Sequence, residues 1–178
     1  MSISIKGLSH YYPNGKRAAE TLCVSYGQEY KVDAVIARPG HIYGPSITDA
    51  DTRASAAFTR DAAEGRSIVM KSAGAQMRSY CYTLDCASAI LAILLNGKKG
   101  EAYNISNRNS IVSIREMAEA LAKAGGVQVV FENPTDTEKK SYNLMENSAL
   151  DSEKLEGLGW RAVFPLGEGA EKTIRFYR

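Results

Sequence analysis

The sequence is poor in the residues that mark several common function classes. Only three of its 178 residues are cysteine. A small, odd number of thiols gives no disulfide framework and reads as a protein of a reducing cytosol. Only two histidines occur, His10 and His41. Cys81 and Cys86 have no nearby His and no second Cys pair, so their spacing gives no zinc site and they read as small buried thiols. Charge nearly balances: 22 Lys and Arg against 20 Asp and Glu leave a formal net charge of +2. With no Lys/Arg cluster and no basic face interleaved with aromatics, nucleic acid is not expected as a partner. No apolar run approaches the roughly 20 residues that span a bilayer. The start of the chain lacks the charged segment and apolar stretch of a secretory signal, so a cytoplasmic, non-membrane protein is expected.

What is present is an ordinary globular composition, 44% hydrophobic and 24% charged, enough for a core of its own. Residues 14–30 have helical periodicity, with Ala18, Ala19, Leu22, Cys23 and Tyr26 on one expected apolar stripe. Pro13 suits the first turn, where its missing N–H costs nothing. Residues 32–37 (VDAVIA) form a short β-branched run that predicts a buried parallel strand. The following Arg38-Pro39-Gly40-His41-Ile42-Tyr43-Gly44-Pro45 holds two Pro and two Gly, and is expected to be an irregular loop.

Further on, helices are predicted over 52–65, 84–96, 113–126, 151–158 and 167–177. Strands are predicted over 67–71, 77–83, 101–106 and 127–131, the first two joined through Ala73-Gly74. Ser113-Ile114-Arg115-Glu116 has the form of a capping box. The polar stretch 133–147 reads as a surface loop.

Tyr12 and Lys16 stand four residues apart at the start of the first helix. On spacing alone they read as an exposed i,i+4 pair. The chemistry they could support is specific. A free Tyr ionises near ~10 and is a weak base at neutral pH. A Lys ammonium one helical turn away stabilises the phenolate and lowers that value, so the phenolate can take a proton from a hydroxyl group.

The order of motifs carries more information than the pair. Tyr12-x-x-x-Lys16, its helix, the strand and the Arg38-Pro39-x-x-x-Tyr43-Gly44-Pro45 segment follow one another as in the extended short-chain dehydrogenase/reductases. The chain resembles the NAD-dependent nucleotide-sugar epimerases and dehydratases among them. Gly74-Ala75-Gln76-Met77-Arg78-Ser79-Tyr80-Cys81-Tyr82 resembles that family's Gly-x-Gln-x-Arg-Asp-Phe-x-Tyr strand. Asp85-Cys86-Ala87, Tyr103-Asn104-Ile105, Ser113 with Glu116, Asp151 with Lys154, Leu158-Gly159-Trp160 and Gly167-Glu168-Gly169 resemble later family segments in the same order. The resemblance covers roughly residues 11 to 177.

It implies an α/β fold: the C-terminal part of a Rossmann-type NAD(P)-binding domain over residues 1–45, then a small α/β substrate-binding domain over 46–178. Some elements of the second part could return to the first sheet. It implies Tyr12 as catalytic acid/base. Lys16 would lower the Tyr12 pKa and bond the nicotinamide ribose. Tyr12, Pro39 and His41 would also lie at the cofactor, and His41 and Arg78 at the substrate. The implied cofactor is NAD, with NADP an alternative because the residue that reads the 2′-position is not in the chain. The implied partner is a nucleotide-diphosphate sugar, UDP-linked by preference, and a homo-oligomer is possible.

Three departures qualify this. His41 stands where the family usually has Asn, and a packed loop His is the plain alternative. Ser79 stands where Asp is usual. The Gly-rich phosphate-binding unit and the Ser/Thr of the active site are not found in the sequence. On family grounds the chain is therefore expected to be an inactive, truncated half, or alternatively a non-catalytic nucleotide-sugar-binding fragment or one piece of a split enzyme.

Overall fold

The computed structural model describes residues 11–135 and 145–178, apart from the side chains of residues 11–13. Residues 136–144 of the expected 133–147 loop, and the Tyr12 side chain, lie outside the described residues.

Helix α1 (Tyr11–Tyr30) leads into strand β1 (Ile36–Pro39), and one residue later β2 (His41–Tyr43) begins. Then come α2 (Ala54–Ala63), β3 (Ile68–Met70), β4 (Met77–Tyr82), α3 (Thr83–Asn96) and β5 (Ala102–Ile105). A 3-10 turn (Arg108–Ser110) precedes β6 (Ile111–Ser113), α4 (Ile114–Gly125) and β7 (Val129–Phe131). Two helices close the chain, α5 (Glu153–Glu156) and α6 (Leu166–Tyr177).

Among the described residues the strands form three small sheets. β1 pairs in parallel with β5, β2 in parallel with β4, and β3 in parallel with β7, while β6 runs antiparallel along the other edge of β4. β3 and β4, expected to be joined through Ala73-Gly74, thus lie in different sheets.

Alternation along β2 and β4 sends side chains to two cores. Tyr43, Tyr80 and Tyr82 pack with Phe58, Met70, Met117, Leu121 and Ile174 on one side. Ile42 and Cys81 pack with Ile93, Tyr103, Ile105, Leu155 and Trp160 on the other. α4 is fixed at its start by the capping box: Ser113 Oγ accepts the Glu116 N–H and the Glu116 carboxylate accepts the Ser113 N–H. Its end is marked by Gly126 in the left-handed region, φ 65°.

Three expectations need correction. The segment from Arg38 to Tyr43 is not a loop; it is extended and paired on both sides of Gly40. Gly40 permits this because a side chain there would press on the Ser79 carbonyl at 3.1 Å and the Ser79 hydroxyl at 3.0 Å. The strand expected to be buried at 32–37 forms over Ile36–Pro39 and is largely exposed, because β5 covers only one of its edges. The apolar stripe on α1 lies open as well: Leu22 is 58% and Tyr26 56% accessible. The helix expected over 151–158 contracts to the single turn of α5, followed by Gly159 at φ 89°.

Candidate active site

α1 places Lys16 on an exposed face, one turn before Glu20. Glu20 receives a forked ion pair from Arg38 of β1: Nε donates to Oε1 at 2.7 Å and Nη2 to Oε2 at 2.5 Å. That bond holds the Glu20 carboxyl below its ordinary range. Between α1 and β1 lies an open groove of about 490 Å³, bordered by Lys16, Ala19, Glu20 and Cys23 on one side and by residues 35–39 on the other. Lys16 and Pro39 therefore share one groove. Its lining combines the charged Lys16, Glu20 and Arg38 with the apolar Ala19, Val35, Ile36 and Ala37. Among the described residues no glycine-rich strand–turn–helix unit completes it as a phosphate cradle.

Gly40 then hands the chain from one sheet to the next. Its N–H bonds the Ile105 carbonyl at 3.0 Å, and His41 pairs with Tyr80 of β4. The His41 and Tyr80 rings lie 5.8 Å apart. His41 is half-buried, and its Nδ1 is buried without a hydrogen-bond partner. Burial first, then the positive charges of Arg78 and Arg53, hold the imidazole below its ordinary value.

Arg78 stands two residues before Tyr80 on β4 and is only 4% exposed. Its Nη1 donates to the Met77 carbonyl at 2.7 Å, and no described carboxylate pairs with it. It lines a cavity of about 270 Å³ with Phe58, Val69, Met70, Lys71 and Gln76. Gln76 Oε1 is also buried without a partner. A buried guanidinium without a counter-charge among the described residues, beside an open cavity with largely apolar walls, suits an anionic ligand carrying a ring.

The structure thus joins the expected site residues in two pairs, Lys16 with Pro39 and His41 with Arg78, linked through Gly40. Tyr12 lies on α1, with its side chain outside the described residues. Tyr43 and Tyr80, both close to His41, have their phenols pushed upward by burial, Tyr80 to about 12. Neither is a base at neutral pH. Sequence reasoning missed Glu20, which stands four residues after Lys16, and the walls of the Arg78 cavity. Glu20 could have been found from its spacing. The cavity walls could not, because they come from separate elements.

A sequence profile of the NAD dependent epimerase/dehydratase family matches residues 5–106. The chain is 32% identical to human dTDP-D-glucose 4,6-dehydratase over 175 residues, which is 94% of this chain and 48% of the relative. It is 29% identical to UDP-glucuronic acid decarboxylase 1 of Xenopus tropicalis, covering 94% of this chain and 38% of that one. The fold superposes on dTDP-glucose 4,6-dehydratase of Bacillus anthracis in complex with NAD, with TM-score 0.77 and 20% identity, covering 99% of this chain and 53% of the other. It superposes on UDP-glucose 4-epimerase of Thermotoga maritima with UDP-glucose, with TM-score 0.76 and 23% identity, covering 91% and 51%. The chain spans about half the length of the curated relatives it matches. Ordered motifs, parallel α/β fold and sequence match agree: the chain belongs to the NAD dependent epimerase/dehydratase family.

Proposed function

We propose that this chain carries part of an NAD-dependent epimerase or dehydratase that acts on a nucleotide-diphosphate sugar through transient oxidation to a 4-keto sugar. The observation that carries this reading is Arg78: buried, without a carboxylate partner among the described residues, and opening on a cavity with apolar walls. Its forked donors suit a diphosphate, and the walls formed by Phe58, Val69 and Met70 suit the base.

Tyr12 is the acid/base in this reading. Lys16, one turn along, stabilises the phenolate, so that Tyr12 takes the proton of the sugar hydroxyl. The buried tyrosines near His41 are shifted the opposite way, which leaves this role to Tyr12. Lys16 and Pro39 border the groove that would hold the nicotinamide end of the cofactor. NAD, when bound, supplies reversible hydride acceptance; NADP is the alternative. Epimerisation and dehydration share this opening step and diverge in later proton transfers. Residues 1–45 would belong to the dinucleotide-binding domain and 46–178 to the substrate domain, with β5 returning to pair with β1.

A second reading has its own observation. The sequence has no Gly-x-x-Gly-x-x-Gly unit to receive a pyrophosphate. The chain by itself would then bind the nucleotide without turning over the sugar. Calorimetric titration with UDP and, separately, with NAD tests both readings. UDP binding without NAD binding supports a substrate half-site. Tight NAD binding with turnover of a nucleotide sugar favours the first reading for the chain itself. Binding of neither ligand overturns both.

A further inference from the structure

His41 and Arg78 rise from the same face of the β2–β4 ladder. His41 is opposite Tyr80, and Arg78 precedes Tyr80 by two residues. The two side chains therefore stand on one face of the ladder, diagonally across from each other. Each is incompletely satisfied. The His41 Nδ1 is buried with no partner, and the Arg78 guanidinium has the Met77 carbonyl as its described acceptor. An unmade bond at a buried ring nitrogen is costly, and an uncompensated buried cation is costlier.

Several described groups surround the imidazole. Arg78 and Tyr80 face it from β4, and Tyr43 follows it on its own strand. Arg53, just ahead of α2, adds a second positive charge, with its guanidinium held by the Asp51 carboxylate.

We infer that a nucleoside diphosphate seated on Arg78 is gripped by His41 as well, and that the imidazole takes up a proton from solvent as the anion arrives. This rests on the reading of the cavity as a nucleotide-sugar site. No bond other than N–H forms at the ring, and nothing is oxidised.

In the free chain, burial and the two guanidinium charges keep the imidazole below its ordinary value. The arriving negative charge offsets Arg78 and favours the charged ring, so binding raises the value. The sign of the linkage follows. Affinity rises as pH falls through the bound-state value and levels off below the free-state value. The gain is about tenfold for each unit by which binding moves the ring.

The test uses UDP as the probe and the chain itself. Imidazole correlation spectra contain signals from His10 and His41 alone, and His41→Gln assigns them. They are followed between about pH 5 and 8, the range in which His titrates, with and without saturating UDP. Calorimetry in two buffers of different ionisation enthalpy counts protons taken up. The expected result is an upward move of the His41 midpoint with UDP, net proton uptake, and loss of that uptake in His41→Gln. UDP binding with an unmoved His41 midpoint, or with the same uptake in His41→Gln, overturns this inference and leaves the nucleotide-sugar reading standing. No UDP binding at any pH overturns both.

Discussion

Arg38 grips Glu20 with two parallel bonds of 2.7 and 2.5 Å, tying the face of α1 that carries Lys16 to the strand that leads to His41. Both side chains reach solvent, at 49% and 29% exposure, so the stabilisation is small, under about 1 kcal/mol near neutral pH. The folded-state pKa of Glu20 lies below its ordinary 4.5, with the bond to Arg38 as first cause. This contribution is therefore present above 4.5 and is lost as pH falls through the lowered value. Urea unfolding of wild type and Glu20→Gln should show a small difference at neutral pH that closes in acid. A difference that persists in acid would show that the ion pair is not its source.

The packing of α2 on α4 depends on a close approach at Gly125. A Cβ there would stand 2.7 Å from the Ala62 carbonyl oxygen and 2.9 Å from the Ala62 side chain. Gly125→Ala should cost about 1–3 kcal/mol by overpacking, read from denaturant melts. A variant as stable as wild type would mean that the two helices separate without penalty.

Asp85, in the first turn of α3, is fully buried and accepts the backbone N–H groups of Val163 at 2.9 Å and Phe164 at 3.1 Å. It pins the segment ahead of α6 to the centre of the fold. Asp85→Ala leaves both donors unpaired and should cost roughly 1.5–3 kcal/mol. Asp85→Asn keeps an acceptor oxygen and should lose less. Equal losses from the two variants would contradict the role of the carboxylate.

Much of this organisation was legible in the sequence because it is local. The capping box at Ser113, the parallel character of β1 and the helical run of α3 follow from spacing and side-chain type alone. The ordered motifs placed Arg78 on its strand, and the structure shows that residue buried without a carboxylate partner among the described residues. What failed was the burial of the strand expected at 32–37: a β-branched run says which residues favour a strand and not whether anything covers it, and Leu22 and Tyr26 on α1 are exposed in the same way. The pairing of Arg38 with Glu20, 18 residues away, and the walls around Arg78 arise from tertiary placement, which no window of sequence contains. Pro and Gly in the segment from Arg38 to Tyr43 suggested a loop. The strand there survives because Gly40 allows close approach and Pro39 falls at the end of β1.

The same exposure has a consequence in solution. Leu22 and Tyr26 on α1 and Leu84, Leu91, Leu94 and Leu95 on α3 are all more than half accessible. Apolar faces of this kind favour association. Light scattering at high concentration should give a mass above the 19.4 kDa monomer, and Leu91→Glu with Leu22→Glu should lower it. A wild type that stays monomeric would contradict this.

The central claim is that Arg78 receives the diphosphate of a nucleotide sugar, and titration of UDP into wild type, Arg78→Lys and Arg78→Met tests it most directly, with circular dichroism to verify folding. Removal of charge-assisted bonds of about 1.5–3 kcal/mol predicts roughly 10- to 150-fold weaker binding in Arg78→Met. Arg78→Lys should fall between the two, since it keeps the charge and loses the fork. UDP binding of equal strength in wild type and a folded Arg78→Met would contradict the account.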